Sequence, residues 1–273
     1  MTQKIRHIIE LLLRSHGTDV SKYNDSFLDK SLQKRITETN CSSAEEYYTF
    51  LKQNHKEGES FIDSMHNSYS EFFRNPLTYA VLQQIVLPAI VLKKANTKQG
   101  EIRIWSVACA AGQEAYSMAI LLEELLNVRS EKFSYRIFAT DHSELQINQA
   151  QMGKFSAYAL NNLNLNRVNQ WFTKHGDTYV VKPALKDNID FSVFDLFNKW
   201  PSCPPASIFG GFDMIICANL LFYYKNEYQE IILNKAANSL VDDGYLITGE
   251  TEREIWMNHH FHEIFPQSAI FQV

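Results

Sequence analysis

Apolar positions follow a helical period at the start of the chain and a strand-and-helix alternation beyond residue 100. Ile5, Ile8, Ile9 and Leu12 recur at one-face helical spacing, and Gly17 stands where a left-handed cap would end that helix. Phe27, Leu28, Leu32 and Ile36 predict a second helix. Ser43 and Glu46 have capping-box spacing ahead of a third, which carries Tyr47, Phe50 and Leu51 along one side. Residues 1–75 are therefore expected to form a small all-helical domain.

From Glu101 short apolar runs alternate with helical stretches. Ile102 to Val107 reads as a buried strand, Ala108 to Gly112 as a tight small-residue turn, and Gln113 onward as a helix. Further strands are predicted at 135–140 ending at Asp141, 178–182, 189–194 ending at Asp195, 212–217 ending at Ala218-Asn219, and 245–248. Helices are predicted at 144–152 and 226–240. This alternation predicts an α/β fold, a doubly wound, mostly parallel, Rossmann-like sheet over 76–273, with a small β insertion around 175–188. Strand-end loops of such a sheet form its ligand site.

The segment 67–91 departs from both textures. Phe72, Phe73 and Arg74 precede Asn75-Pro76, which suits the first turn of a helix running through Tyr79, Leu82 and Val86, with Pro88 bending or ending it. Two readings stand side by side. In one, Phe72 and Phe73 plug a domain junction; in the other, Arg74 grips a carboxylate.

Composition narrows the classes of function. Lys and Arg number 26 against 31 Asp and Glu, a net charge of −5, and the pI is 6.0. Nucleic-acid binding is not expected, since such domains usually show a pI above ~9 or a basic stripe. Cys41, Cys109, Cys203 and Cys217 are scattered without metal-ligand spacing, so reduced thiols and no metal site are expected. The N-terminal apolar run is too short and too interrupted by charge for a signal peptide or membrane span. A cytoplasmic monomer without membrane insertion is the expectation.

Four polar residues fall at the carboxyl ends of predicted strands or just after: Glu114, Asp141, Asp195 and Asn219. Asp141 can accept hydrogen bonds from both hydroxyls of a ribose, or it can cap the following helix. The turn Ala108 to Gly112 has small side chains that admit a ligand close to the backbone, although an ordinary strand-to-helix turn would read the same way. It lacks the GxGxxG glycines of a pyrophosphate binder, and Glu114 would oppose a phosphate. A ligand with hydroxyls, an amine and a sulfonium suits it better, which favours S-adenosylmethionine over a nicotinamide cofactor.

The segments SEFFRNP, IWSVACAAGQEAYSMA, FATDHSELQINQA, FDMIICANLLFYY and DDGYLITGE, in that order after a helical domain, resemble the CheR family of S-adenosylmethionine-dependent protein-glutamate O-methyltransferases, which methylate chemotaxis receptors. The resemblance implies that Ser70 and Arg74 border the methionine end of the cofactor and that Glu114 meets its amino-acid and ribose portion. It further implies that Asp141 holds the ribose, Asp195 and Leu196 flank the adenine, Asn219 lies under the cofactor, and Tyr223 stands near the transferring methyl. Core packing is the other reading of Tyr223 and Tyr224. Ala218 stands where the family usually has Arg, Ser68 where it has Asn, Ala115 where it has Pro, and Gly249-Glu250-Thr251-Glu252 where it has GHSE. The expected product is S-adenosylhomocysteine, and the expected partner is a receptor's cytoplasmic region. Arg6, Arg14, Lys30, Lys34 and Arg35 of the helical domain are candidates for docking it. A cofactor-binding module without methyl transfer, an enzyme with another acceptor and an NAD-dependent oxidoreductase remain alternatives.

Overall fold

The computed structural model describes residues 3–65, 69–95, 100–128, 133–198, 200–207, 211–259 and 261–272, so Ser68 lies outside the described residues. The chain forms two compact units, residues 1–67 with 222–229 and residues 68–221 with 230–273. The division falls after residue 67, earlier than the boundary between residues 75 and 76 expected from the sequence, and 222–229 return to the helical unit, a long-range pairing that apolar spacing does not encode.

The helical unit contains α1 (Gln3–His16), α2 (Asp25–Glu38), α3 (Ala44–Gln53) and α4 (His55–Met65). Ile5, Ile8, Ile9 and Leu12 are buried with Leu28, Leu32, Tyr47, Leu51 and Phe61. Gly17 takes the left-handed conformation, φ 66°, and its N–H donates to the Leu13 carbonyl at 3.0 Å. The expected cap at Ser43 accepts the Glu46 N–H at 3.2 Å. Helix α4 was not read from the sequence, because Gly58 and its many charges blur the apolar period.

A buried polar cluster ties α2, α3 and α4 together. Glu57 receives Arg35 Nε at 2.9 Å, Arg35 Nη2 at 2.6 Å and the Tyr47 hydroxyl at 2.6 Å. Burial, then the Glu57 carboxylate, pushes the Tyr47 phenol well above its ordinary value, and the bond to Glu57 raises the already high value of Arg35. Arg35 is thus drawn inward and is no member of an exposed docking face, which corrects that part of the sequence reading. Segment 222–229 packs in the same unit. Tyr224 stacks on Tyr23 at 5.0 Å between ring centroids, Tyr223 meets Phe27 edge-on at 4.8 Å, and the Asn24 N–H donates to the Tyr223 carbonyl at 2.8 Å.

The α/β unit begins with α5 (Pro76–Ala95). Pro88 does not end it. Residues 82–86 form a π-turn in which the Leu87 N–H reaches back five residues to the Leu82 carbonyl, widening the helix just ahead of a ring that cannot donate and crowds the preceding turn. By length and composition α5 could cross a membrane. Here it buries Val81, Leu82, Val86, Leu87, Ile90 and Val91 in the core, and Lys94 pairs with buried Asp213 at 2.9 Å.

The strands of this unit are β1 (Glu101–Ser106), β2 (Ser134–Asp141), β3 (Lys154–Ser156), β4 (Phe172–His175), β5 (Thr178–Val181), β6 (Ile189–Val193), β7 (Phe212–Cys217), β8 (Leu240–Thr248), β9 (His262–Glu263) and β10 (Ile270–Gln272). Seven make one sheet in the order β6-β2-β1-β7-β8-β10-β9. The first five run parallel, with Ile104 opposite both Ile137 and Met214, and β10 and β9 complete the edge antiparallel. Every residue of β7 is buried, as a central parallel strand covered on both faces requires. The strands β9 and β10 are too short to show a period in the sequence. A separate antiparallel sheet, β3-β5-β4, spans 154–181, whereas the sequence reading placed the insertion around 175–188; residues 183–186 are helical instead.

Replacing Glu57 with Ala should lower the stability of the helical unit by about 3 kcal/mol, because the Arg35 charge loses its buried partner. Lys34→Ala, which removes an exposed 3.9 Å pair with Glu38, should change stability by less than about 0.5 kcal/mol. Urea unfolding of both variants checks the contrast.

Candidate functional site

Within the α/β unit, β1 leads by crossover to β2 on one side and pairs with β7 on the other. The chain therefore reverses its direction of winding at the β1/β7 boundary, the switch point at whose strand carboxyl ends doubly wound sheets bind their ligands.

The loop after β1 is tied to its neighbours by backbone bonds. The Val107 N–H donates to the Ile216 carbonyl and the Cys109 N–H to the Thr140 carbonyl, both at 2.9 Å. Ala110, at φ 45°, directs its N–H to Asp141 Oδ2 at 3.0 Å. Gly112, at φ 89°, is needed for packing: a Cβ there would come within 3.0 Å of the Ala150 methyl and 3.2 Å of Phe191 and Tyr116. Its missing side chain makes room for these three neighbours, a packing requirement beside the ligand clearance expected of this small-residue turn. Ala108 is half-buried in the same loop.

Asp141 ends β2 and is buried. Its Oδ1 accepts the Ser143 N–H at 2.9 Å, while Ser143, not Asp141, caps α6 (Glu144–Met152) by accepting the Gln146 N–H. The capping alternative for Asp141 is thereby set aside. Each carboxylate oxygen accepts one backbone N–H, and His142 Nδ1 also lies 3.4 Å from Oδ1.

Glu114 lies in the first turn of the helix Gln113–Val128 and is half-buried. The Ser106 hydroxyl donates to its Oε1 at 2.6 Å. Desolvation raises its pKa from 4.5 to about 7; the Ser106 bond and the Arg74 charge pull it down, and the Glu252 charge pushes it up. Beside it, the buried Gln113 Oε1 has no hydrogen-bond partner among the described residues.

Arg74 is exposed and stacks over the Tyr69 ring at 5.3 Å. Its position is set by the two preceding residues. Phe72 is fully buried, edge-on to Phe155 and Phe172 at 5.0 and 5.5 Å. Phe73 is held at φ 50°, a costly conformation for a bulky residue. Its N–H donates to Ser117 Oγ at 3.1 Å, and its ring lies under the Arg167 guanidinium at 4.3 Å. The pair therefore anchors the turn inside the α/β unit. Ser70 is half-buried in the irregular stretch ahead of it.

Asn219 follows β7 at φ 59°. Asp195 and Leu196 follow β6; Asp195 Oδ1 accepts the Phe197 N–H at 2.9 Å, and Leu196 is buried. The sequence-predicted residues of the α/β unit thus lie at the end of β2, in the loops after β1, β6 and β7, in the first turn of the helix Gln113–Val128 and in the turn before α5. Tyr223 is the exception, since it belongs to the helical unit through Phe27 and Asn24. Sequence reasoning missed Glu252, a fully buried carboxylate whose signal was its place at the end of the Gly249–Glu252 motif.

Residues 68–270 match the family model described as "CheR methyltransferase, SAM binding domain", and residues 3–66 match "CheR methyltransferase, all-alpha domain". The chain belongs to the CheR methyltransferase family. It is similar to the chemotaxis protein methyltransferase of Listeria innocua, 28% identical over 247 residues that cover 90% of this chain and 88% of that protein. It is likewise similar to chemotaxis protein methyltransferase 1 of Pseudomonas aeruginosa, 33% identical over 198 residues that cover 71% and 69% of the two chains. As a member of the CheR family the chain is an S-adenosylmethionine-dependent methyltransferase, and the nicotinamide alternative falls away. The donor set of the rim fits this cofactor. Carboxylates at Glu114 and Asp141 and an unpartnered acceptor at Gln113 suit ammonium, sulfonium and hydroxyl groups and would repel a phosphate.

Between about pH 4.5 and pH 7 folded CheR-family protein holds a proton on Glu114 that the unfolded chain has released. Stability contributed by this group is therefore full at low pH and is lost as pH rises through about 7. A Glu114→Gln variant should gain stability relative to the unchanged protein between pH 5 and pH 8, measured by urea unfolding across that range.

Proposed function

We propose that the enzyme transfers a methyl group from S-adenosylmethionine to glutamyl side chains in the cytoplasmic region of a chemotaxis receptor. The observation that carries this reading is the joint presence of an exposed arginine on an anchored aromatic turn and an acidic rim of buried Asp141 and half-buried Glu114 and Asp195 in a CheR-family chain. Names of the similar Listeria and Pseudomonas proteins agree with a role in chemotaxis.

Bound S-adenosylmethionine supplies an electrophilic methyl on a cationic sulfur and leaves as S-adenosylhomocysteine. An acceptor carboxylate, with a reference pKa of ~4.3, is already ionised at neutral pH, so this chain needs no general base. Its task is to bind, align and partly desolvate, and alignment alone is worth ~7–11 kcal/mol in favourable cases. In this reading Arg74 orients the acceptor carboxylate, with Ser70 beside the methionine end of the cofactor. Glu114 and Gln113 hold the cationic portion against the small residues Ala108 and Gly112. Asp141 accepts the ribose hydroxyls, Asp195 and Leu196 flank the adenine, Asn219 lies beneath, and Tyr223 aligns the methyl. The exposed Arg6, Arg14, Lys30 and Lys34 of the helical unit are assigned to the receptor.

Asp141→Asn should weaken cofactor binding by about 10- to 100-fold, the range for losing a hydrogen bond to a charged group. Calorimetry giving the unchanged affinity would remove the ribose assignment. Tyr223→Phe should leave that affinity intact and lower turnover. Labelled S-adenosylmethionine offered with receptor cytoplasmic fragments should deposit base-labile methyl on protein, whereas base-stable label would point to nitrogen or carbon as the acceptor.

A further inference from the structure

We infer that Glu252 is a positioning residue for the cofactor pocket, acting through the backbone of residues 219–221. Its side chain is fully buried, and its two oxygens collect donors from two different loops. Oε1 accepts the Leu221 N–H at 2.6 Å. Oε2 accepts the Asn219 N–H at 2.6 Å, the Thr248 hydroxyl at 3.2 Å and the Gly249 N–H at 3.2 Å.

These loops leave the carboxyl ends of β7 and β8, paired neighbours in the sheet with Cys217 opposite Thr248. Asn219 sits between them at φ 59°, a conformation that a non-glycine residue keeps only when its surroundings hold it. The carboxylate does this by fixing the N–H groups of residues 219 and 221 at once. Gly249 lets the loops close on each other, since a Cβ there would lie 3.0 Å from the Asn219 nitrogen, Asn219 Oδ1 and Glu252 Oε2. A buried carboxylate is costly unless such bonds satisfy it. Its placement behind the rim therefore serves the geometry of the loop that follows β7. The inference rests on the proposed placement of Asn219 beneath the cofactor.

Glu252→Gln keeps the shape but turns one acceptor oxygen into an amide donor facing a backbone N–H. The full-length variant, folded by circular dichroism, should bind S-adenosylhomocysteine at least 10-fold more weakly in calorimetry. Its effect should be non-additive with that of Asn219→Ala. Glu57→Gln, which perturbs the buried carboxylate of the helical unit, should lower stability and leave the affinity unchanged. Unchanged affinity in folded Glu252→Gln, or an equal loss in Glu57→Gln, overturns the inference. A loss in Glu252→Gln with none in Asn219→Ala overturns only the contact assigned to Asn219 and leaves Glu252 acting through the rest of the loop. Should Glu252→Gln fail to fold, Thr248→Val decides: a severalfold loss of affinity supports the inference and an unchanged affinity overturns it.

Discussion

Parallel pairing of β1 with β2 and β7 governs the functional half of this molecule. Parallel neighbours need crossover connections, so successive strands send their carboxyl ends the same way and their loops to one rim. Burial on both faces makes the pairing stable, and the reversal of winding at β1/β7 marks the switch point where such sheets bind their ligands. The loops after β1, β2, β6, β7 and β8 inherit their position from that arrangement.

Acidic groups are concentrated in or beside these loops, and each is managed differently. Asp141 is held by two backbone N–H groups, Asp195 by one, and Glu252 by three together with a hydroxyl. Glu114 has the Ser106 hydroxyl and the distant help of Arg74, and desolvation is the larger influence on it. The consequence is a division of labour between carboxylates that shape loops and one that answers to its surroundings. Such a rim favours a cationic, hydroxyl-bearing ligand, in keeping with membership of the CheR family.

The aromatic turn before α5 combines the same ingredients in another way. A strained Phe73 and a buried Phe72 leave Arg74 exposed on a turn anchored by its aromatic neighbours. The helical unit uses a buried ionic cluster, Arg35 with Glu57 and Tyr47, where the sequence offered a basic residue for a docking face.

Much of this was legible in residue order. Period and caps placed α1 to α3, the run 144–152 and β7, because each is a local pattern of apolar spacing or turn chemistry. The glycine-poor loop with Glu114 already disfavoured a phosphate ligand, since charge and side-chain size are properties of the residues themselves. Other features belong to the tertiary structure alone. The role of Gly112 depends on Ala150 and Phe191, the cap at Ser143 on which oxygen reaches the helix, and the passage of α5 through Pro88 on a π-turn. Glu252 meets partners up to 33 residues away, and Tyr223 packs with residues near the start of the chain. Sequence by itself determined which chemistry was present and on which elements. Only folding decided which carboxylates face one another's loops, because hydrogen bonding and burial depend on neighbours that chain order does not reveal.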